Sequence, residues 1–268
     1  MQKIFDIHTH IYPEKIAEKA SVNLGHFYNF VVEGDGTYSH LEKQGSVAGV
    51  CGFLLLGVAT NPTQVCHVND FIAKTVKASR ERGFNTYGFM GMHQDYPDFA
   101  AELDRAVAAG LSGIKIHPDI QGVNIDDERL MELYYLAEGR LPVYFHIGDD
   151  RPEYQYSSPD KLVKILKEFP RLQVVAAHLG GYKAWEDALP LLAHRENVWY
   201  DTSSALWAMT TEYANSVVSR LGTEHLMFGT DYPVKTTDEE LERLMALELT
   251  DAQREDILWN NASKFLGF

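Results

Sequence analysis

The chain has 268 residues, 45% hydrophobic and 23% charged, which is enough to bury one large core in a single domain. Its formal charge of −14 repels phosphate backbones, which argues against a nucleic-acid partner and for a small-molecule substrate. Two cysteines are too few for a secreted disulfide framework, the N-terminal MQKIFDIHTH lacks the apolar run of a signal peptide, and no apolar stretch approaches the roughly 20 residues that span a bilayer. The expectation is a cytoplasmic protein without a membrane span; association with further copies of itself stays open.

Short apolar segments alternate with amphipathic ones along the chain. Strands are expected over residues 4–10, 47–58, 86–93, 113–117, 142–147, 172–178, 198–203 and 226–231. Between them, three- and four-residue apolar spacing predicts helices over 64–82, 99–109, 128–138, 160–168, 185–194, 212–221 and 239–247. Eight strands interleaved with helices imply a parallel sheet closed as a (β/α)8 barrel, which typically takes about 250 residues. Thr237 followed by Glu240 reads as a capping box, and Gly83, Gly110, Gly139 and Gly222 sit where helices should stop. The long connection 11–46, rich in Tyr, Phe and His, is a candidate cap over the barrel mouth or an aromatic patch on its rim.

Polar residues gather where the strands end, which is where barrels of this class carry their active sites. His8 and His10 in DIHTH share a strand face, so two imidazoles converge while Ile7 and Thr9 are expected to pack outward. His146 closes PVYFHIGD, His178 closes QVVAAHLGG and Asp231 closes LMFGTDYP, with Ala176 and Gly229 leaving room beside them. Nitrogen and oxygen ligands in this arrangement suit a divalent ion, zinc first, that polarises a water. His8, His10, His146 and Asp231 are the candidate ligands. Asp231 could also accept a proton, and His178 is a general base or a further ligand.

Lys115 in GIKIHPD should point into the barrel, an expensive place for an ammonium. Three roles are open to it: a carboxylated lysine bridging two metals, a substrate-carboxylate contact, or an internal ion pair with Asp6 or another acid. His117 and His93 also end strands and could reach the cavity. His26, His40, His67, His194 and His225 are expected to be surface or packing residues, and Trp207 could line the pocket.

Taken together, DIHTHIYP, GIKIHP, YFHIGD, AHLGG, FGTDYP and the terminal ILWNNASKFLGF resemble the amidohydrolase superfamily over essentially the whole chain. The closer likeness is to the amidohydrolase-related group that includes aminocarboxymuconate semialdehyde decarboxylase. That resemblance implies metal ligation by His8, His10, His146 and Asp231, with His178 activating water or orienting substrate. In dihydroorotase-like relatives a strand-four lysine in a K-x-Y-P setting is carboxylated, which implies a second metal here if Lys115 is modified; this chain departs from that setting with His117 in place of tyrosine. Part of the decarboxylating branch begins with Glu-x-His, whereas this chain has His8, as the aminocarboxymuconate enzymes do. Hydrolysis of an amide, ester or lactone therefore leads, with decarboxylation of an unsaturated or aromatic acid as the alternative.

Overall fold

A computed structural model describes residues 3–268. Eight parallel strands lie in sequence order: β1 Ile4–Thr9, β2 Val50–Leu56, β3 Asn85–Gly91, β4 Ile114–Ile116, β5 Val143–Phe145, β6 Val174–Ala176, β7 Val198–Asp201 and β8 Leu226–Met227. Each pairs with the next, and the Ile7 N–H to Phe228 carbonyl bond (2.9 Å) and the Asp231 N–H to His8 carbonyl bond (2.9 Å) close β8 onto β1. The chain is a single-domain (β/α)8 barrel.

Helices follow the strands: α3 Val65–Glu81, α4 Phe99–Ala108, the short α5 Pro118–Gln121, α6 Glu128–Ala137, α7 Pro159–Glu168, α8 Trp185–Leu192, α9 Thr211–Leu221 and α10 Thr237–Met245. None of the described helices is long and apolar enough to cross a membrane. The connection 11–46 is folded as α1 Glu14–Tyr28 and most of α2 Tyr38–Ala48. Residues expected at the start of the second strand belong instead to α2, which the left-handed Gly49 (φ 87°) ends.

Strand alternation sorts the apolar residues into two clusters. Ile114, Ile116, Val143, Phe145, Val174, Ala176, Val198 and Tyr200 pack outward against the helices. Tyr144, Val175, Ala177, Trp199 and Met227 meet Phe5, Ile7, Leu54, Leu56 and Phe89 inside the barrel, above a floor of Trp259, Phe265 and Phe268. Ile7 thus faces inward in step with Phe5, contrary to the expectation that it packs outward, and it is His8 that departs from alternation, where the pairing of β1 with β2 slips between Asp6 and Thr9. That irregularity lets Ile7 and His8 both reach the interior. Ala176 likewise faces the helices, not the site.

The expected capping box at Thr237 does not form. Thr236 holds the N-cap position, and Glu240 turns inward, fully buried, to accept a bond from Arg243 Nε (3.1 Å). The capping box is made at Thr250 and Gln253. Burial pushes the Glu240 carboxyl up to about 8 and that of Asp6 to about 7. An acid whose folded pKa is raised contributes stability that is full below its unfolded value and lost as pH rises through its folded one. The melting temperature should therefore fall between about pH 5 and pH 9, and Glu240→Gln should flatten the upper part of that fall. Thermal unfolding across this range checks it; an unchanged slope in Glu240→Gln overturns it.

Candidate metal centre

The inward slip of β1 places His8 and His10 at the barrel mouth, where their hydrogen bonds fix their tautomers. His8 Nδ1 faces Asp201 Oδ2 at 3.0 Å, and His10 Nδ1 faces the Leu56 carbonyl at 3.0 Å. Both partners only accept, so both Nδ1 atoms carry the proton and both Nε2 atoms are bare. Asp201 is ionised: burial alone would raise it, but His8, His178 and Ser203 hold it below the ordinary carboxylate range. Burial, aided by His8 and Lys115, keeps His10 neutral.

The two bare nitrogens lie 3.2 Å apart, and Asp231 Oδ1 sits 3.3 Å from His8 Nε2 and 3.7 Å from His10 Nε2. The other Asp231 oxygen is taken by the Ser204 hydroxyl at 2.6 Å. Three acceptors therefore converge with no proton between them. Ligands about 2.1 Å from one ion stand about 3.0–3.5 Å apart, so His8, His10 and Asp231 fit a divalent cation by spacing and by chemistry.

His178 enters by a different route. With Val175 and Ala177 facing inward, continued alternation would carry it away from the interior. The chain instead turns left-handed at His178 (φ 62°) and Leu179 (φ 55°), held by the His178 N–H to Asp201 Oδ1 (3.1 Å) and by Trp185 Nε1 on the His178 carbonyl (2.9 Å). Its Nδ1 faces the Ser203 carbonyl at 2.8 Å, which leaves Nε2 bare, 2.9 Å from His146 Nδ1. Burial keeps His178 neutral. His146 lies outside the His8–His10–Asp231 triplet; its Nε2 turns to the Gly148 carbonyl and Asp119 Oδ2, each at 3.1 Å. His10, His8, His178, His146 and His117 form one row, with successive ring centroids 5.1, 5.2, 4.7 and 4.5 Å apart.

Lys115 points inward as expected, but the ion pair with Asp6 is absent. Asp6 is occupied by the Thr230 hydroxyl (2.7 Å) and backbone N–H (3.1 Å), and Lys115 Nζ has no hydrogen-bond partner among the described residues. The ammonium lies 4.7 Å above the Tyr144 ring, and burial lowers it to about 8 against the pull of Asp231 and Asp201. Lys115 is not on the cavity wall, whereas His117 is.

His10, His178, His146 and His117 of this row form the floor of a cavity of about 660 Å³, and His8 lies buried behind them. Leu24, Phe27 and Phe30 of the 11–46 connection and Val68 and Phe71 of α3 give it apolar walls, and His67, exposed on α3, also borders it. Tyr28 comes down from α1 with its hydroxyl 3.3 Å from His117 Nε2. Arg151 ties α1 in place: it donates to the Phe27 carbonyl (2.7 Å), stacks on Tyr154 (3.9 Å) and pairs with Asp149 (2.7 Å). Asp201, Asp119 and Tyr28 were not singled out by the sequence reading. Asp201 closes VWYD much as Asp231 closes its strand, so that signal was present; nothing in the sequence ties Asp119 or Tyr28 to the floor.

The amidohydrolase family model matches residues 6–268. The chain belongs to the amidohydrolase family. Among solved structures, this chain is similar to an uncharacterised TIM-barrel protein from Bordetella bronchiseptica, at 19% identity and a TM-score of 0.78, covering 99% of this chain and 98% of that one. It is also similar to 5-carboxyvanillate decarboxylase from Sphingomonas paucimobilis, at 16% identity and a TM-score of 0.74 over the full length of both. A third likeness is to a dihydroxybenzoic acid decarboxylase from Polaromonas with bound manganese and 2-nitroresorcinol, at 14% identity and a TM-score of 0.72, covering 100% and 97%.

Gly229 shows how tightly the triplet is packed. A Cβ there would stand 2.9 Å from His8 Cβ and 3.3 Å from Ser203 Cβ, neither of which is a flexible chain end. Gly229→Ala should displace the His8 ring and weaken manganese or zinc binding by about 10-fold or more. Titration of metal-free protein checks this; unchanged affinity would mean that His8 yields without leaving its place.

Proposed function

We propose that this chain is a metal-dependent enzyme acting on a small, largely apolar molecule, either by hydrolysis of an amide, ester or lactone or by decarboxylation of an unsaturated or aromatic acid. The observation that carries this reading is the triplet of unprotonated acceptors His8 Nε2, His10 Nε2 and Asp231 Oδ1, of which His10 and Asp231 border a largely apolar cavity. A divalent cation held there, zinc or the manganese seen in the Polaromonas relative, supplies Lewis acidity that polarises a carbonyl oxygen and acidifies a water. His146, beyond His178 in the row, is the candidate for a fourth ligand.

The chain's own residues would do the rest. Neutral His178, with bare Nε2 and its Nδ1–H held by the Ser203 carbonyl, accepts a proton from the attacking water and returns it to the leaving group. Asp231, which the Ser204 hydroxyl holds in place, is the second proton acceptor. His117 and Tyr28 on the cavity wall orient the polar end of the substrate, and the apolar walls exclude bulk water. Lys115, off the wall and without an ion-pair partner, keeps two roles open, a modified second-metal bridge or a charge acting through Tyr144.

Decarboxylation stands beside hydrolysis with at least equal weight, favoured by the structural likeness to the 5-carboxyvanillate and dihydroxybenzoic acid enzymes. The same floor would hold a carboxylate, and Asp231 or His178, once it has taken up a proton from solvent, would deliver it to the carbon that loses carbon dioxide.

His178→Ala should keep its metal and lose turnover by roughly 10²-fold or more; loss of metal would instead make His178 a ligand. Manganese- and zinc-loaded protein screened against esters, lactones and aromatic carboxylic acids in ¹⁸O-labelled water separates the reactions. Label in the product supports hydrolysis. Carbon dioxide release without label overturns it in favour of the lyase.

A further inference from the structure

We propose that Asp119 is a positioning residue that keeps the proton of His146 on Nε2, so that His146 presents a bare Nδ1 to His178 and to the cation site. This rests on the reading that the histidine row serves a divalent cation.

Four observations carry it. First, His146 Nε2 is crowded by two acceptors, with the Gly148 carbonyl in line at 3.1 Å and Asp119 Oδ2 beside it at 3.1 Å, while Nδ1 faces only the bare Nε2 of His178. An imidazole with one proton places it where the acceptors are.

Second, Asp119 is 3% exposed, and neither of its oxygens receives a hydrogen bond in line. A buried carboxylate is costly without a partner. The other buried acids nearby are satisfied: Asp149 by two bonds from Arg151, and Asp201 by Ser203, His8 and the His178 N–H. His146 is the group left to compensate Asp119.

Third, the arrangement is held from outside. His117 stacks on the His146 ring at 4.5 Å and 13°, which keeps the ring plane fixed. The α5 turn that carries Asp119 is pinned by Gln121, which accepts from the His117 N–H (3.0 Å) and donates to the carbonyls of Ala59 (2.9 Å) and Met92 (2.5 Å). Fourth, the same device recurs at His8, where Asp201 fixes the opposite tautomer and exposes Nε2. Carboxylates behind ligating histidines commonly act this way, and their loss costs about 10–100-fold in metal affinity.

The test compares wild type with Asp119→Asn and Asp119→Leu. Histidine ¹⁵N spectra of metal-free protein, with His146→Gln assigning the resonances, read the tautomer, and manganese titration reads the affinity. The expected result is a wild-type His146 protonated at Nε2, mixed protonation in both Asp119 variants, and manganese affinity about 10–100-fold weaker. If Asp119→Leu does not fold, Asp119→Asn carries the test alone. An unchanged tautomer in Asp119→Asn overturns the proposal. So does loss of one bound cation in both Asp119→Asn and Asp149→Asn, which would make Asp119, His146 and Asp149 a direct ligand set. If wild type binds neither manganese nor zinc, the metal reading fails, while the tautomer measurement still decides the role of Asp119.

Discussion

The hydrogen bond from the Asp231 N–H to the His8 carbonyl is the point on which the rest of the molecule depends. It belongs to the ladder that closes β8 on β1, and it also sets the carboxylate of one chain end against the imidazoles of the other. Residues more than 200 positions apart become neighbours because a sheet of eight parallel strands has no edge left once it closes. The convergence of three proton-free acceptors is unfavourable in isolation, and the apolar outer cluster between strands and helices holds the backbone that enforces it.

Around that point the barrel is organised in depth. The floor below the site is apolar, and the layer above it is almost entirely ionisable: Asp6, Lys115, Tyr144 and Asp201 stand under or behind the histidines. These groups carry no substrate wall. Their work is to fix ring orientations and protonation states, as the pairing of Asp201 with His8 and the crowding of Asp6 by Thr230 illustrate.

Much of this was legible in the sequence, for identifiable reasons. Period-two alternation and strand-end polarity are local, so the eight strands, most helices, and the placement of His8, His10, His146, His178 and Asp231 near one mouth could be read directly. What alternation could not give was its own breakdown. The register slip in β1 that brings His8 inward beside Ile7 and the left-handed turn that delivers His178 depend on partners in other strands. The failed cap at Thr237 has the same origin, since burial of Glu240 overrode a local signal. Asp119 and Tyr28 were illegible because their roles come from contacts across the mouth, with His146 and His117.

The tie between Arg151 and the end of α1 separates two tasks that many sites mix. The candidate ligands sit on strand ends that the closed sheet holds rigid, while much of the cavity wall belongs to one continuous segment, fastened at the Phe27 carbonyl and at a few aromatic stacks. Such a segment can change length or sequence without disturbing the ring of strands beneath it. The fold is therefore built for substitution by the panel: a lineage could exchange the aromatic cover, and with it the range of molecules admitted, while the reactive floor passes through unaltered.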